Sequence, residues 1–177
     1  MDATLLTLDS ALLLHPKIFR DERGSFQEMY QRSVYQRLGV SPEFVQDNLS
    51  FSHKGTVRGM HFQASPGQAK LVSVISGQIY DVIVDIRPES PTFKQWEGVY
   101  LDSESGKQLF VPVGFAHGFC VISSSAYVCY KVSSPYDPIE EKTFRFDDPE
   151  IGITWPIDTP ILSERDRSSL YFKEIFA

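Results

Sequence analysis

Ile79-Tyr80-Asp81-Val82-Ile83-Val84-Asp85-Ile86 is the stretch that decides the architecture. It is rich in β-branched side chains, preceded by Ser76-Gly77 and followed by Arg87-Pro88-Glu89-Ser90-Pro91, so it reads as a strand between turns. Outward from it, Leu71–Ile75, Trp96–Leu101, Leu109–Val111 and Ala126–Val132 have the same character, with Ser103–Gly106 as a further turn. Strands this close together, with no helical segment between them, predict an all-β antiparallel sandwich or barrel. Helix is confined to two short peripheral pieces: Ser33 to Leu38, ended by Gly39, and one starting near Ser163. No repeat, biased tract or linker interrupts the pattern, so residues 1–177 are expected to form a single domain.

Composition agrees with a packed globule. The chain has 177 residues, 42% of them apolar and 13% aromatic; a domain of this size buries roughly 70% of the surface its unfolded chain exposes. The formal charge of −6 argues against a general nucleic-acid binder, which needs a basic face for phosphates. An anionic small molecule is still compatible with that charge, provided the cations converge locally. No apolar run approaches the ~20 residues that span a bilayer, and Met1-Asp2-Ala3-Thr4 does not open a signal peptide. Cys120 and Cys129 sit in apolar, strand-like segments. Two reduced thiols in a cytoplasmic protein are the expectation, a disulfide between them the alternative.

Chemistry concentrates in Val57-Arg58-Gly59-Met60-His61-Phe62-Gln63, with Lys70 shortly after. Imidazole can take and release a proton near neutrality, and the guanidinium beside it offers a fork for phosphate or carboxylate. Strict strand alternation sends Arg58 and His61 to opposite faces. Both can face one pocket only across a bulge, and Gly59 is the predicted place for it. Later, Pro112-x-Gly114-x-x-His117 has the spacing of the second cupin motif, in which a tight turn leads a histidine into the mouth of a jelly-roll barrel. Metal-binding cupins supply His-x-His and a nearby glutamate from the first motif; here that place reads His61-Phe62-Gln63, and no glutamate follows before Glu89. Two histidines without a carboxylate make a poor metal site, so the expectation is a metal-free cupin without cofactor.

Other segments leave two readings open. Gln46 and Asn48 form either an amide pair that binds an anion's oxygens or a polar outer face. Tyr130, on one strand face with Val128 and Val132, is a core tyrosine or a site residue. Arg20-Asp21-Glu22-Arg23-Gly24 reads as a turn of solvated charges, and Asp166 alone reads as a charge on the surface of a helix.

Taken together, the chain resembles the dTDP-4-dehydrorhamnose 3,5-epimerases, cupins that act on nucleotide-linked 4-keto-6-deoxy sugars. The resemblance runs from Asp21-Glu-Arg-Gly24 with Phe26 and Glu28, through Phe44–Asn48, Arg58–Gln63, Lys70–Val72, Asp81–Arg87, Ser90–Phe93 and Pro112–Phe119. It continues through Tyr130-Lys131, Tyr136, Glu141, Ile151–Pro156 and Ser163–Asp166. It implies a jelly-roll barrel in which His61 is the base, Asp166 orients its ring, Lys70 lies near the enolate oxygen, and Tyr130 returns a proton from the opposite face. This assignment reverses the reading of Asp166 in isolation. It also implies that Arg23, Glu28, Gln46, Asn48 and Arg58 hold the nucleotide, with His117, Tyr136, Glu141 and Arg165 lining the same cavity. Arg23 and Glu28 would then reach across from a second copy of the chain in a homodimer. The alternatives are an epimerase acting at one carbon, a 3,4-ketoisomerase on the same barrel, and a non-catalytic nucleotide-sugar binder. The last has no use for both a base and an opposed acid.

Overall fold

A computed structural model describes residues 1–176. The chain begins with strands β1 (Asp2–Leu5), β2 (Leu12–His15), β3 (Ile18–Asp21) and β4 (Gly24–Gln27), followed by helix α1 (Arg32–Arg37). Strands β5 (Gln46–His53), β6 (Val57–Gln63), β7 (Lys70–Ser76), β8 (Gln78–Asp85) and β9 (Trp96–Asp102) come next. Then β10 (Gln108–Val111), β11 (Phe115–Val121), β12 (Ser125–Val132) and β13 (Glu141–Thr143) precede the short helices α2 (Glu164–Arg167) and α3 (Phe172–Ile175).

These strands form a six-stranded sheet in the order β1-β2-β10-β7-β12-β5 and a five-stranded sheet in the order β13-β6-β11-β8-β9, with β3-β4 as a separate hairpin. All pairings between named strands are antiparallel. The two larger sheets face each other as a cupin-type jelly roll with short peripheral helices.

Alternation along β8 shows how the layers close. Ile79 and Ile83 enter a core shared with Val72 and Val128 of the facing sheet and with Phe115, Phe119 and Val121 of β11. Val82 and Val84 point the other way, with Met60, Phe62 and Ala116, under Phe144, Ile151 and Phe172 of the C-terminal segment. The strand is therefore covered on both faces, which is why it reads as an almost unbroken apolar run. Each fully buried side chain of this kind contributes roughly 1.5–3 kcal/mol. On the outside of the six-stranded sheet, Tyr35 of α1 and Val40 cover Leu14, Leu71 and Phe110. Farther along that face Leu49, Phe51, Ile75 and Tyr127 remain exposed.

The five strands read from the sequence all occur, with ends shifted by one residue at most. Helix α1 starts at Arg32 and is capped at Leu38, and α2 starts from Ser163 as its N-cap. The sequence pattern does not predict strands β1, β2, β3, β4 and β13, and it marks β11 only through the His117 motif. Cys120 is buried, Cys129 half-buried, and both are free thiols.

Candidate active site

Strand β6 carries the irregularity expected at Gly59. Against β11, His61 pairs with His117 and Arg58 with Phe119, so the register shifts between them. Met60 and Phe62 go to the outer core, while Arg58 and His61 both face the space between the sheets. Only glycine suits this position: Gly59 has φ +129°, and a Cβ there would lie 2.6 Å from the Gly118 Cα and 2.9 Å from the His117 carbonyl oxygen.

The space they face is a cavity of about 350 Å³. Gln46, Asn48 and Ser50 of β5, Lys70 of β7 and Tyr130 of β12 line it from the six-stranded sheet. Arg58, His61, His117, Phe119 and Glu141 line it from the five-stranded sheet, and Gln68 and Tyr136 from connecting segments. The imidazole and the phenol thus stand on opposite walls. Gln46 and Asn48 face the cavity and not an outer surface, and Tyr130 likewise belongs to the cavity wall.

His61 Nε2–H donates to Asp166 Oδ1 at 2.6 Å, leaving Nδ1 without a protein partner among the described residues. Asp166 is 3% exposed, which corrects the reading of a surface helix charge. It lies on α2, whose first turn is set by the Ser163 hydroxyl accepting the Asp166 backbone N–H at 3.1 Å. Burial pushes the Asp166 carboxyl up, but the His61 bond and charge, the Ser163 hydroxyl and Arg165 outweigh it and hold the group below the usual carboxylate range. The carboxylate therefore stays ionised at neutral pH.

Lys70 is 7% exposed and makes no hydrogen bond to protein among the described residues. Burial pushes its ammonium down to about 8, against the opposing pull of Glu141 and Asp81. Burial, together with the charge of Glu141, raises the Tyr130 phenol, while Arg58 opposes the shift. The phenol thus keeps its proton at neutral pH. Arg58 Nε donates to the Ser52 hydroxyl at 2.9 Å, and Gln46 Nε2 donates to Asn48 Oδ1 at 2.8 Å. Glu141 is paired with Arg165, which borders the cavity through that contact rather than lining it. A net-acidic chain has gathered Arg58 and Lys70 at one concave site, which suits an anion.

Arg23 and Glu28 are not brought to this cavity. Arg23 sits at the tip of the β3–β4 hairpin, its side chain 86% exposed and bonded to Asp21 of the same hairpin. Glu28 follows β4 and is exposed. Ser50, Gln68 and Phe119 also line the cavity, and the sequence reading assigns no role to them or to Asp81. The alternation of Asp81 and Asp85 with isoleucines in a buried strand was the available signal for it. The two cavity histidines each give a ring nitrogen to a carboxylate, and no group of three His, Cys, Asp or Glu side chains converges among the described residues.

Comparison with known proteins bears on this geometry. The sequence matches the dTDP-4-dehydrorhamnose 3,5-epimerase family over residues 6–174. The dTDP-4-dehydrorhamnose 3,5-epimerase of Methanothermobacter thermautotrophicus is 44% identical over 165 residues, 92% of this chain and 89% of that protein. The dTDP-4-dehydrorhamnose 3-epimerase of Streptomyces niveus is 40% identical over 171 residues, 96% of this chain and 83% of that protein. A crystal structure of the Legionella pneumophila dTDP-6-deoxy-D-glucose-3,5-epimerase, in complex with dTDP-4-keto-L-rhamnose, superposes with a TM-score of 0.95. It is 43% identical, covering 98% of this chain and 94% of that one. On this sequence match and this shared architecture, the chain belongs to the dTDP-4-dehydrorhamnose 3,5-epimerase family.

Proposed function

We propose that the cavity epimerises dTDP-4-keto-6-deoxyglucose at C3 and C5, giving dTDP-4-dehydrorhamnose, without a cofactor. The observation that carries the reading is that a carboxylate-bonded histidine and a protonated tyrosine line one cavity from opposite sheets. Hydrogens at C3 and C5 are acidic because each carbon flanks the C4 ketone. His61 removes one, and Asp166 stabilises the imidazolium that results. The electron pair moves into an enolate whose oxygen is met by Lys70, a cation already in place and already desolvated. Tyr130 delivers a proton to the other face, and the centre inverts. Exchange with solvent resets the histidine and the phenol before the second centre reacts.

Arg58, Gln46 and Asn48 hold the nucleotide, with His117, Tyr136, Glu141 and Arg165 completing the binding surface. A homodimer, in which Arg23 and Glu28 act on the partner's cavity, is supported by the exposure of both residues and of the apolar face formed by Leu49, Phe51, Ile75 and Tyr127. Residues 1–177 act as one catalytic domain, in the cytoplasm.

Incubation with dTDP-4-keto-6-deoxyglucose in deuterium oxide tests the reading. Deuterium is expected at both C3 and C5, and His61→Ala is expected to abolish the exchange while dTDP still binds. Label at one carbon alone would select a single-centre epimerase, the reading favoured by the similarity to the Streptomyces niveus 3-epimerase.

A further inference from the structure

Strand β8 sends Ile79, Asp81 and Ile83 to the inter-sheet side, and β11 sends His117 there beside Phe119. In the register of the two strands Phe119 lies opposite Asp81 and His117 opposite Ile83, so Asp81 and His117 are diagonal neighbours on one face. Asp81 is 0% exposed. Its Oδ1 accepts the His117 Nε2–H at 2.9 Å, and its Oδ2 has no partner among the described residues.

A carboxylate shut away from water with one hydrogen bond is costly, and an apolar side chain of similar size would pack there at less cost. Its single bond goes to a residue of the cavity wall. That bond fixes which ring nitrogen of His117 is committed and which is left over. Among the described residues Nδ1 has no protein partner.

We propose that Asp81 is a positioning residue for the reaction, its carboxylate holding the His117 ring so that Nδ1 is presented to an anionic oxygen of the substrate. This rests on the function proposed above. Two oxygens have the required chemistry: the diphosphate, and the C4 oxygen as it becomes an enolate. Either is met by Nδ1–H, so in the complex both ring nitrogens carry protons and Asp81 is the counter-charge within the wall. The same carboxylate helps Lys70 keep its proton against burial. Asp81 would thus support two donors of the cavity while touching no substrate.

Long-range nitrogen–proton correlation spectra of the ¹⁵N-labelled wild-type protein test the contact, with His117 assigned by its loss in His117→Gln. A protonated Nε2 is expected, and a bare Nε2 on His117 overturns the proposal without recourse to any Asp81 variant. Asp81→Asn keeps the shape of the side chain and is expected to lower kcat/KM by about 10–100-fold. A loss carried by KM assigns the diphosphate, and a loss carried by kcat assigns the enolate oxygen. Folded Asp81→Asn with wild-type kcat/KM overturns the proposal. Absence of C3 and C5 exchange in the wild type would overturn the functional reading instead, and the ring spectrum would still decide the Asp81 contact.

Discussion

Lys70 gathers the electrostatics of the cavity into one side chain. Its proton is held less tightly in the folded protein than in a free lysine, about 8 against 10.5, chiefly because the ammonium is buried. Below about 8 the group is charged in both states, and the folded molecule bears the whole desolvation cost. Between about 8 and 10.5 the unfolded chain keeps a proton that the folded chain has lost, so this group's contribution to stability improves as pH rises. Catalysis runs the other way, because an uncharged amine cannot balance an enolate. The kcat–pH profile is therefore expected to fall about tenfold per unit above about 8, with no matching loss of thermal stability traceable to Lys70. Lys70→Met should remove that limb and lower kcat by about 10²–10³. A wild-type profile flat through the alkaline range would take Lys70 out of the mechanism. Asp166 shows the limit of reading single residues. Its burial depends on a helix that returns to His61 across 105 positions of sequence, and no local pattern reports such a contact. Only the resemblance of the whole chain to a family assigned it.

At the scale of elements, the bulge in β6 is the device on which the site depends. It was legible because two chemically useful side chains an odd number of positions apart conflict with strand alternation, and a glycine lay between them to resolve the conflict. Gly59→Ala puts a Cβ against the backbone of β11 at a positive φ, so a loss of about 2–3 kcal/mol is expected. Urea unfolding measures it. Activity should fall further than stability alone explains, because flattening the bulge turns Arg58 or His61 out of the cavity. A variant with the wild-type midpoint and wild-type kcat would refute this account of β6. The central strands were equally legible, being β-branched and bounded by turn residues. Strands β1 and β2 were not, since Leu12-Leu13-Leu14-His15 has no β-branched residue and becomes a strand by pairing with β10 and β1. Strand β11 was obscured by its Gly, Ala and His content, which suits a strand only where both faces are packed.

For the whole molecule, the cavity of one chain gathers most of the groups assigned to substrate but leaves Arg23 and Glu28 outside it. In the homodimer proposed above, this exposed arginine, on a hairpin that belongs to neither large sheet, would serve a second copy seated on the uncovered face around Leu49, Phe51 and Tyr127. Subunit mixing discriminates this from a solvated turn. Arg23→Ala should be weak at low substrate through loss of nucleotide affinity, and His61→Ala inactive. When the two are unfolded together and refolded in equal amounts, half of the dimers are hybrids. Each hybrid has one cavity that combines an intact His61 with the partner's intact Arg23, and one that lacks both. Activity at low substrate should therefore recover to roughly a quarter of the wild-type value, as two-fold symmetry with random pairing requires. If Arg23 serves its own chain, every cavity in the mixture lacks one of the two groups, and the refolded sample will be no more active than the average of its components.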